Sequence, residues 1–512
     1  MAWKRKMKTT KDEIKGFFSE LGQFIAHYYK DLLEGIRGMK MTSFIEKLFS
    51  VLLISVAFAF FCYLREGTGD LYMSVFIPSF FANAFLVLFS SANKSSNVYS
   101  ILTVLLITMG VALQIFMLPP DGENVLKTVY KYVVFVFIGI VLSMIVVPVL
   151  SFITSYDADT RILRAFIIIG TVLLYLVLLV FGKEVNGAKS WLYIGSNSIQ
   201  LTEITKVFAG VYFVLCLTDK KMSEKAQSTR TFIALLIHAA FLVLVNEFGT
   251  LLMIGIVYFF LKLLFFKNNK LLLKEVVSLV VIIAVLLSVF YGFYKMVPVK
   301  EAQQTTVEET VQEGDASASA ESDNTESEDA APSNKLVDEA LGRLQTIFPK
   351  ITHRFSVFLG IGELTADDTY QIDSAKKALY YAELFGREKG SFGFVPEIKS
   401  DFVFVYLVVR LGIVGAMVVL ITLVTLFAET FICAAKSKNP RESALAICFI
   451  CFIVIQSLIC MCSNLGLFPV VGLPFAFLSD GGSATCVNLI MSFFIIYFMR
   501  KKRVLPSVNE VN

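Results

Sequence analysis

Apolar residues recur along this chain in twelve long runs separated by short polar breaks. They lie at roughly 48–64, 75–91, 99–118, 129–154, 162–181, 204–218, 231–246, 248–266, 275–295, 405–430, 442–463 and 484–499. A helix crossing the hydrocarbon core needs about 20 mostly apolar residues, because no backbone polar group goes unpaired there. The pattern predicts an all-α polytopic membrane protein of about 12 transmembrane helices. The runs at 204–218 and 231–246 are short and borrow residues from their flanks. Ahead of them, Ile14, Phe17, Phe18, Leu21, Phe24, Ile25, Tyr28, Tyr29, Leu32 and Ile36 recur with helical period. Residues 1–47 therefore read as a basic amphipathic helix, lying on the inner membrane surface or docking a partner. They carry ten Lys/Arg and no apolar stretch with a small-residue cleavage site, unlike a signal peptide.

Charge orders the runs. Lys94, then Arg161 and Arg164, then Lys220, Lys221, Lys225 and Arg230 mark alternate loops. Lys267, Lys270 and Lys274, then Lys436, Lys438 and Arg441, then Arg500 to Arg503 continue the alternation. The positive-inside rule places these loops and both termini in the cytoplasm. The expected organisation is a cytoplasmic segment at 1–47, N-terminal spans at 48–154, a membrane core at 155–295, one large outward loop at 296–400, further spans at 401–500 and a cytoplasmic tail at 501–512. Within the loop, 301–333 holds ten Asp/Glu and no Lys or Arg, the composition of a disordered spacer. From 336 to 400 apolar residues, Tyr and Gly return, which predicts short helices against the membrane.

Composition agrees: 56% of the 512 residues are hydrophobic and 17% charged, against about 45–50% and 25% in soluble chains. The net charge, 46 − 42 = +4, gives no case for nucleic acid. Cys448-x-x-Cys451 with Cys460-x-Cys462 has the look of a zinc site. On one straight helix, however, its ends stand about 21 Å apart and cannot surround a tetrahedral ion. The thiols read as small packing residues, and the three histidines make a His-rich metal site or a histidine base improbable.

A charge inside a span costs about 2.5–3.5 kcal/mol and so asks for a partner or a task. Glu203 and Lys206, three apart, can pair on one face, either to orient their helix or to serve a substrate. Glu247 interrupts two apolar runs. Asp401 stands at the mouth of the tenth run with Arg410 deeper inside it, and Asp480 sits in a Gly-rich turn before the last. Topology puts Glu203, Glu247, Asp401 and Asp480 near the outer leaflet. That placement fits a transporter vestibule or an enzyme acting on a lipid-borne substrate.

Four stretches then resemble the SEDS family of cell-wall polymerases (the FtsW, RodA and SpoVE group). Gly187 to Lys206 is similar to the family's G-x-R-x-W…G…Q-P-S-E…K segment, matching at Gly187, Trp191, Gly195, Gln200, Glu203 and Lys206. Glu247 to Thr250 is similar to D-L-G-T. Val395 to Gly415 is similar to P-E…T-D-F-I-F…E-E-L-G-x-x-G, and Gly466 to Ser483 to G-L-x-P-x-x-G-L-P-L-P-F-x-S-Y-G-G-S. Arg354 and the run from Tyr370 to Ala378 resemble the outward-loop pattern. The resemblance covers roughly 160–500 and implies a core of ten spans, hence two extra at the N-terminus.

The resemblance implies polymerisation of lipid II into β-1,4 glycan at the outer face of a bacterial cytoplasmic membrane. It also implies a class B penicillin-binding protein as partner and Asp401, in the place of the family's T-D-F acid, as general base on the acceptor hydroxyl. Substrate-binding candidates are Lys189, Trp191, Gln200, Glu203, Lys206, Glu247, Arg354, Lys399, Asp480 and Ser483. The leaving polyprenyl diphosphate calls for cationic groups or a divalent cation, Mg or Mn. No protein metal ligands and no other cofactor are expected. The chain departs from the family at Leu201 (Pro), Glu247 (Asp), Lys399 (His), Val409 and Arg410 (both Glu) and Asp480 (Tyr). An Arg410–Asp480 pair is expected to replace a lost contact. A non-catalytic scaffold for a transpeptidase, or a lipid-linked precursor flippase, are the competing readings.

Overall fold

The apolar runs fold as helices. The computed structural model describes residues 2–66, 69–116, 123–156, 160–185, 188–195, 197–266, 268, 270–281, 356–359, 361, 366–387 and 395–500. The helices are α1 (Ala2–Arg37), α2 (Met41–Glu66), α3 (Gly69–Ala92), α4 (Asn97–Phe116), α5 (Glu123–Ser155), α6 (Arg161–Phe181), α7 (Leu201–Leu217), α8 (Glu224–Leu244), α9 (Phe248–Phe265), α10 (Ala366–Tyr380), α11 (Val403–Lys436), α12 (Pro440–Asn464) and α13 (Gly482–Phe498). Among the described residues, eight are long and apolar enough to cross a membrane: α2, α4, α5, α6, α8, α9, α11 and α12. Helices α7 and α13 are apolar but shorter, 17 residues each. The run at 275–295 is helical as far as 281. Its remainder, the acidic segment 301–333 and Arg354 lie outside the described residues. The chain divides into two units, Met1–Leu272 with Phe355–Asn512, and Leu273–Arg354.

Surface stripes show which faces meet lipid. On α6, Phe166, Ile169, Leu173, Leu176 and Val180 are exposed; on α11, Ile413, Val414, Met417, Val418, Ile421 and Val424 are. These positions repeat at three and four residues, one helical face each, where a water-soluble protein would carry polar groups. Helices α12 and α13 are buried on nearly every side and form the centre, with α5, α7 and α9 against α12. The amphipathic period of α1 has a local use. Phe17 and Phe24 pack on Phe152, Tyr28 on Tyr497, and the Tyr29 hydroxyl donates to the Met144 carbonyl at 2.7 Å. One face of α1 thus docks on this chain's own spans, and Phe18 and Leu33 stay exposed.

The all-α expectation needs one addition. Residues between α6 and α7 form an antiparallel three-stranded sheet, β1 (Lys183–Val185), β2 (Ala188–Ile194) and β3 (Asn197–Gln200), in that order. Trp191 pairs with Gln200 across β2 and β3.

A second correction concerns the tenth run. Helix α11 has 34 residues, about 51 Å at 1.5 Å per residue, far beyond a hydrocarbon core of about 30 Å. It is broken at Gly412 (φ 76°). The stretch 403–411 is buried on all sides, and the lipid-facing stripe begins only at 413. The unbroken helix is therefore 413–436, and the expected run 405–430 spans the break. The loop after α10 closes the break: the Ile413 and Val414 N–H groups donate to the Glu383 and Leu384 carbonyls (3.2 and 3.1 Å), and the Arg387 N–H donates to the Val409 carbonyl (2.7 Å). Donors that a helix start leaves unpaired are satisfied there by another segment.

A Cβ at Gly412 would stand 2.2 Å from the Leu384 carbonyl oxygen, on a backbone conformation unfavourable to L side chains. Gly412→Ala is expected to cost about 2–3 kcal/mol and to open the 383–387 loop to proteolysis. Gly255→Ala, where a Cβ meets nothing within 4 Å, serves as a neutral control. Equal melting of the two variants would refute the docked break.

Candidate functional site

The sheet brings the first set of residues together. The Lys189 N–H donates to the Val245 carbonyl (2.9 Å), tying β2 to the turn between α8 and α9. Gln200 ends β3 and precedes α7. Its N–H donates to Ser483 Oγ (3.0 Å), and its amide Nε2 donates to Glu247 Oε1 (3.1 Å). Three segments distant in sequence thereby meet at one end of the bundle. Glu247 lies in the turn between two spans and is 6% exposed. Burial pushes its pKa up to about 7, and the carboxylates of Glu203 and Asp401 add to the rise against the hydrogen bond from Gln200.

The sign of the resulting pH dependence follows. A carboxyl whose folded pKa exceeds its unfolded value contributes stability below the unfolded value, and that stability is lost as pH rises to the folded one. Between its ordinary 4.5 and about 7, Glu247 should cost the fold about 3 kcal/mol on ionising. Glu247→Gln imitates the protonated form, so it should raise the melting temperature at pH 8 and change little at pH 5. The reverse dependence would rule out a strained buried carboxyl.

Asp401 is held from behind. Three successive carbonyls are fixed: Asp480 N–H donates to that of Lys399 (2.9 Å), Ser479 Oγ to that of Ser400 (2.6 Å), and Asn464 Nδ2 to that of Asp401 (2.6 Å). Asn464 also accepts from the Val405 N–H (3.2 Å), and Cys460 Sγ lies 3.5 Å from the Asp401 carbonyl. Phe402 is fully buried. The Asp401 side chain is partly exposed, and its Oδ2 lies 3.6 Å from where a Cβ at Gly472 would stand. The Gly466 to Ser483 loop therefore passes beside the carboxylate. That loop is clamped by two spans: Gln114 Nε2 donates to the Leu478 carbonyl (3.1 Å) and the Tyr132 hydroxyl to that of Phe477. Phe477 itself adopts φ 64°, a conformation rare for a bulky residue that needs such support.

Other predicted residues fall into distinct places. Glu203 and Lys206 form an ion pair at 2.5 Å with their side chains 1% and 0% exposed. Lys206 also donates to Gln456 Oε1, and Gln456 to the Pro474 carbonyl, both at 2.7 Å. In this conformation the pair supports the site from beneath and does not reach its surface. Lys189 donates to the Leu179 carbonyl (2.7 Å). Trp191 is half-buried in the sheet. Burial raises the Asp480 pKa, opposed by Lys131 and Lys399.

The expected Arg410–Asp480 pair is absent. Arg410 is fully buried and donates to the Arg387 carbonyl (3.1 Å), some nine residues or about 13 Å up the helix from Asp401. Arg410, where the family carries an acid, thus secures the loop over the helix break. Gln456, Asn464, Ser479, Gln114 and Tyr132 were not anticipated. For Gln456 and Asn464 a signal existed, because polar amides eight residues apart in an apolar span share one helix face and ask for partners. Among the described residues no three His, Cys, Asp or Glu side chains are grouped to hold a metal ion. Glu203 is engaged by Lys206 and Glu247 by Gln200.

Similarity to known proteins bears on this arrangement. Over 352 residues the chain is 25% identical to a probable peptidoglycan glycosyltransferase FtsW of Bacillus subtilis, covering 66% of this chain and 76% of that protein. Over 130 residues it is 36% identical to a probable peptidoglycan glycosyltransferase FtsW of Enterococcus hirae, covering 25% of this chain and 32% of that one. The chain thus spans about a third of the Enterococcus relative's length. In fold it resembles a chain of a peptidoglycan synthase complex, solved for the structural coordination of polymerization and crosslinking, at TM-score 0.54 and 16% identity over 79% of this chain and 98% of that one. The sequence pattern of the FtsW/RodA/SpoVE family, described as cell cycle protein, matches residues 96–315 and 347–504. It takes in α4 and every element of the site, so this chain is a multi-pass membrane protein that belongs to the FtsW/RodA/SpoVE family.

Proposed function

We propose that the protein polymerises lipid II into glycan strands at the outer face of a bacterial cytoplasmic membrane, together with a class B penicillin-binding protein. The observation that carries this reading is the placement of Asp401. Its backbone is pinned through three consecutive carbonyls while its carboxylate stays partly open beside the Gly-rich loop. A general base needs such fixed geometry with access to the acceptor. In the reaction the acceptor hydroxyl gives its proton to Asp401 as its oxygen bonds to the anomeric carbon of the donor sugar. The bond from that carbon to the diphosphate oxygen breaks, and the polyprenyl diphosphate leaves with the electron pair. One displacement converts an α-linked diphosphate into a β-glycoside, so no covalent nucleophile is required. We assign neutralisation of the leaving charge to cationic side chains, with Lys399, two residues before Asp401, foremost.

The orientation follows from charge. Glu247, Asp401 and Asp480 lie at the site end, and the opposite end carries Lys94, Arg161, Lys220, Lys221, Lys438 and Arg441, which the positive-inside rule places in the cytoplasm. Purified protein supplied with lipid II and its cognate class B partner is expected to yield a ladder of glycan lengths. No polymer with the partner bound would favour a scaffold. Transfer of labelled lipid across a bilayer without polymer would favour a flippase.

A further inference from the structure

At the end of the bundle opposite Asp401, a cavity of about 450 Å³ is lined by Lys220, Lys221, Lys438 and Arg441 and by one acid, Asp219, with Thr218 and Asn439 among its polar groups. The cations come from two separate loops, 218–223 between α7 and α8 and 437–439 between α11 and α12, and from the first turn of α12. The sign of their charge follows from the positive-inside rule. Their convergence on one concavity does not. A space of this volume is about 10 Å across, comparable with the screening length at physiological salt, so an anion inside it lies within reach of all four charges.

Among the described residues, the acids at the recess are already engaged. Asp219 accepts from Arg164 (2.7 Å), Thr160 (3.2 Å) and the Lys221 N–H (2.9 Å). Burial works to raise its pKa, but these bonds together hold it below the ordinary carboxylate range. Glu442, in the first turn of α12, is drawn off by Arg500 at 2.6 Å. Arg441 is anchored by donating to the Tyr156 carbonyl, and Asn439 caps α12 through the Arg441 and Glu442 N–H groups. The cavity is thus a preformed cationic recess at the positive end of a helix dipole, of a size typical for small-ligand sites.

We propose that this recess binds a phosphate-bearing anion, supplied either as the headgroup of an anionic phospholipid of the adjoining leaflet or as a soluble phosphate ester. Basic recesses between spans at the cytoplasmic side are suited to such groups.

The test uses the full-length protein in nanodiscs and three forms: wild type, Lys220→Gln/Lys438→Gln, and Lys225→Gln/Lys270→Gln, which removes equal charge outside the recess. One arm titrates sn-glycerol 3-phosphate into phosphatidylcholine discs and follows the melting temperature. The other counts, by native mass spectrometry, the phosphatidylglycerol retained from mixed discs. Loss of two cations from the recess is expected to weaken binding about thirtyfold, with the outside pair behaving as wild type. A difference in the first arm alone identifies a soluble ester; in the second alone, a lipid headgroup. Equal losses in both double variants, or no loss in either arm, overturn the proposal. Should Lys220→Gln/Lys438→Gln melt early in plain discs, Lys438→Gln alone is expected to lose about fivefold.

Discussion

Asp401→Asn is expected to slow glycan polymerisation by about 10²–10⁴-fold, the range that a positioned general base contributes, with folding essentially unchanged. Asparagine keeps the size and the hydrogen-bonding edge of the side chain but cannot take up the acceptor's proton. The backbone at and before residue 401 is held through its carbonyls, by Asn464 and, at the two preceding residues, by Ser479 and the Asp480 N–H. All of them survive the substitution. The loss should therefore fall on kcat while KM for lipid II stays near the wild-type value, the pattern of an interaction made in the transition state. Asp401→Glu, which keeps the charge and shifts it by one methylene, should recover part of the rate. A variant that polymerises at the wild-type rate would keep the enzyme and move the base to Asp480. Asp480 comes ahead of Glu247, because Glu247 is 6% exposed and spoken for by Gln200. A variant that loses partner binding or melts early would void the comparison, so both are measured beside the rate.

The sequence made the membrane helices legible because lipid imposes one rule on every span: apolar side chains over a fixed length. Eleven of the twelve runs lie mostly on described helices, and the ninth, 275–295, is helical as far as residue 281. The break at Gly412 was not legible, since apolar residues continue on both sides of it and only its partner loop, far away in composition and position, explains how the backbone is satisfied. The sheet at 183–200 escaped notice for a related reason: short strands of mixed polarity leave no period strong enough to compete with a loop reading. For the site, Asp401 and its neighbours came from motif resemblance, and the structure supplied what motifs omit. Arg410 illustrates the limit. Its charge placed it beside the base on paper, whereas its contact with the Arg387 carbonyl shows that a long side chain serves the nearest unsatisfied backbone.

Lys206→Met should destabilise the fold by about 3–5 kcal/mol, the cost of stranding one partner of a buried ion pair. Both side chains are sealed from water, 1% and 0% exposed, so the Glu203 carboxylate left behind has no solvent to turn to. Glu203→Gln should cost less, because Lys206 keeps Gln456 as an acceptor at 2.7 Å and the new amide can also receive its proton. The double variant Glu203→Gln/Lys206→Met should recover most of the loss, since neither charge then needs compensation; the resulting coupling energy separates an ion pair from two independent packing residues. The pair also has a mechanical role. Lys206 holds Gln456, and Gln456 holds the Pro474 carbonyl, two residues past Gly472 and within the loop that borders Asp401. Weakening it should therefore lower kcat as well as the melting temperature, even though neither residue reaches the substrate in this conformation. Were Glu203 and Lys206 instead direct substrate contacts, single variants would raise KM with stability intact, and the double variant would be the worst of the three. The ordering of three melting temperatures against three KM values decides between a pair that builds the site and a pair that touches the sugar.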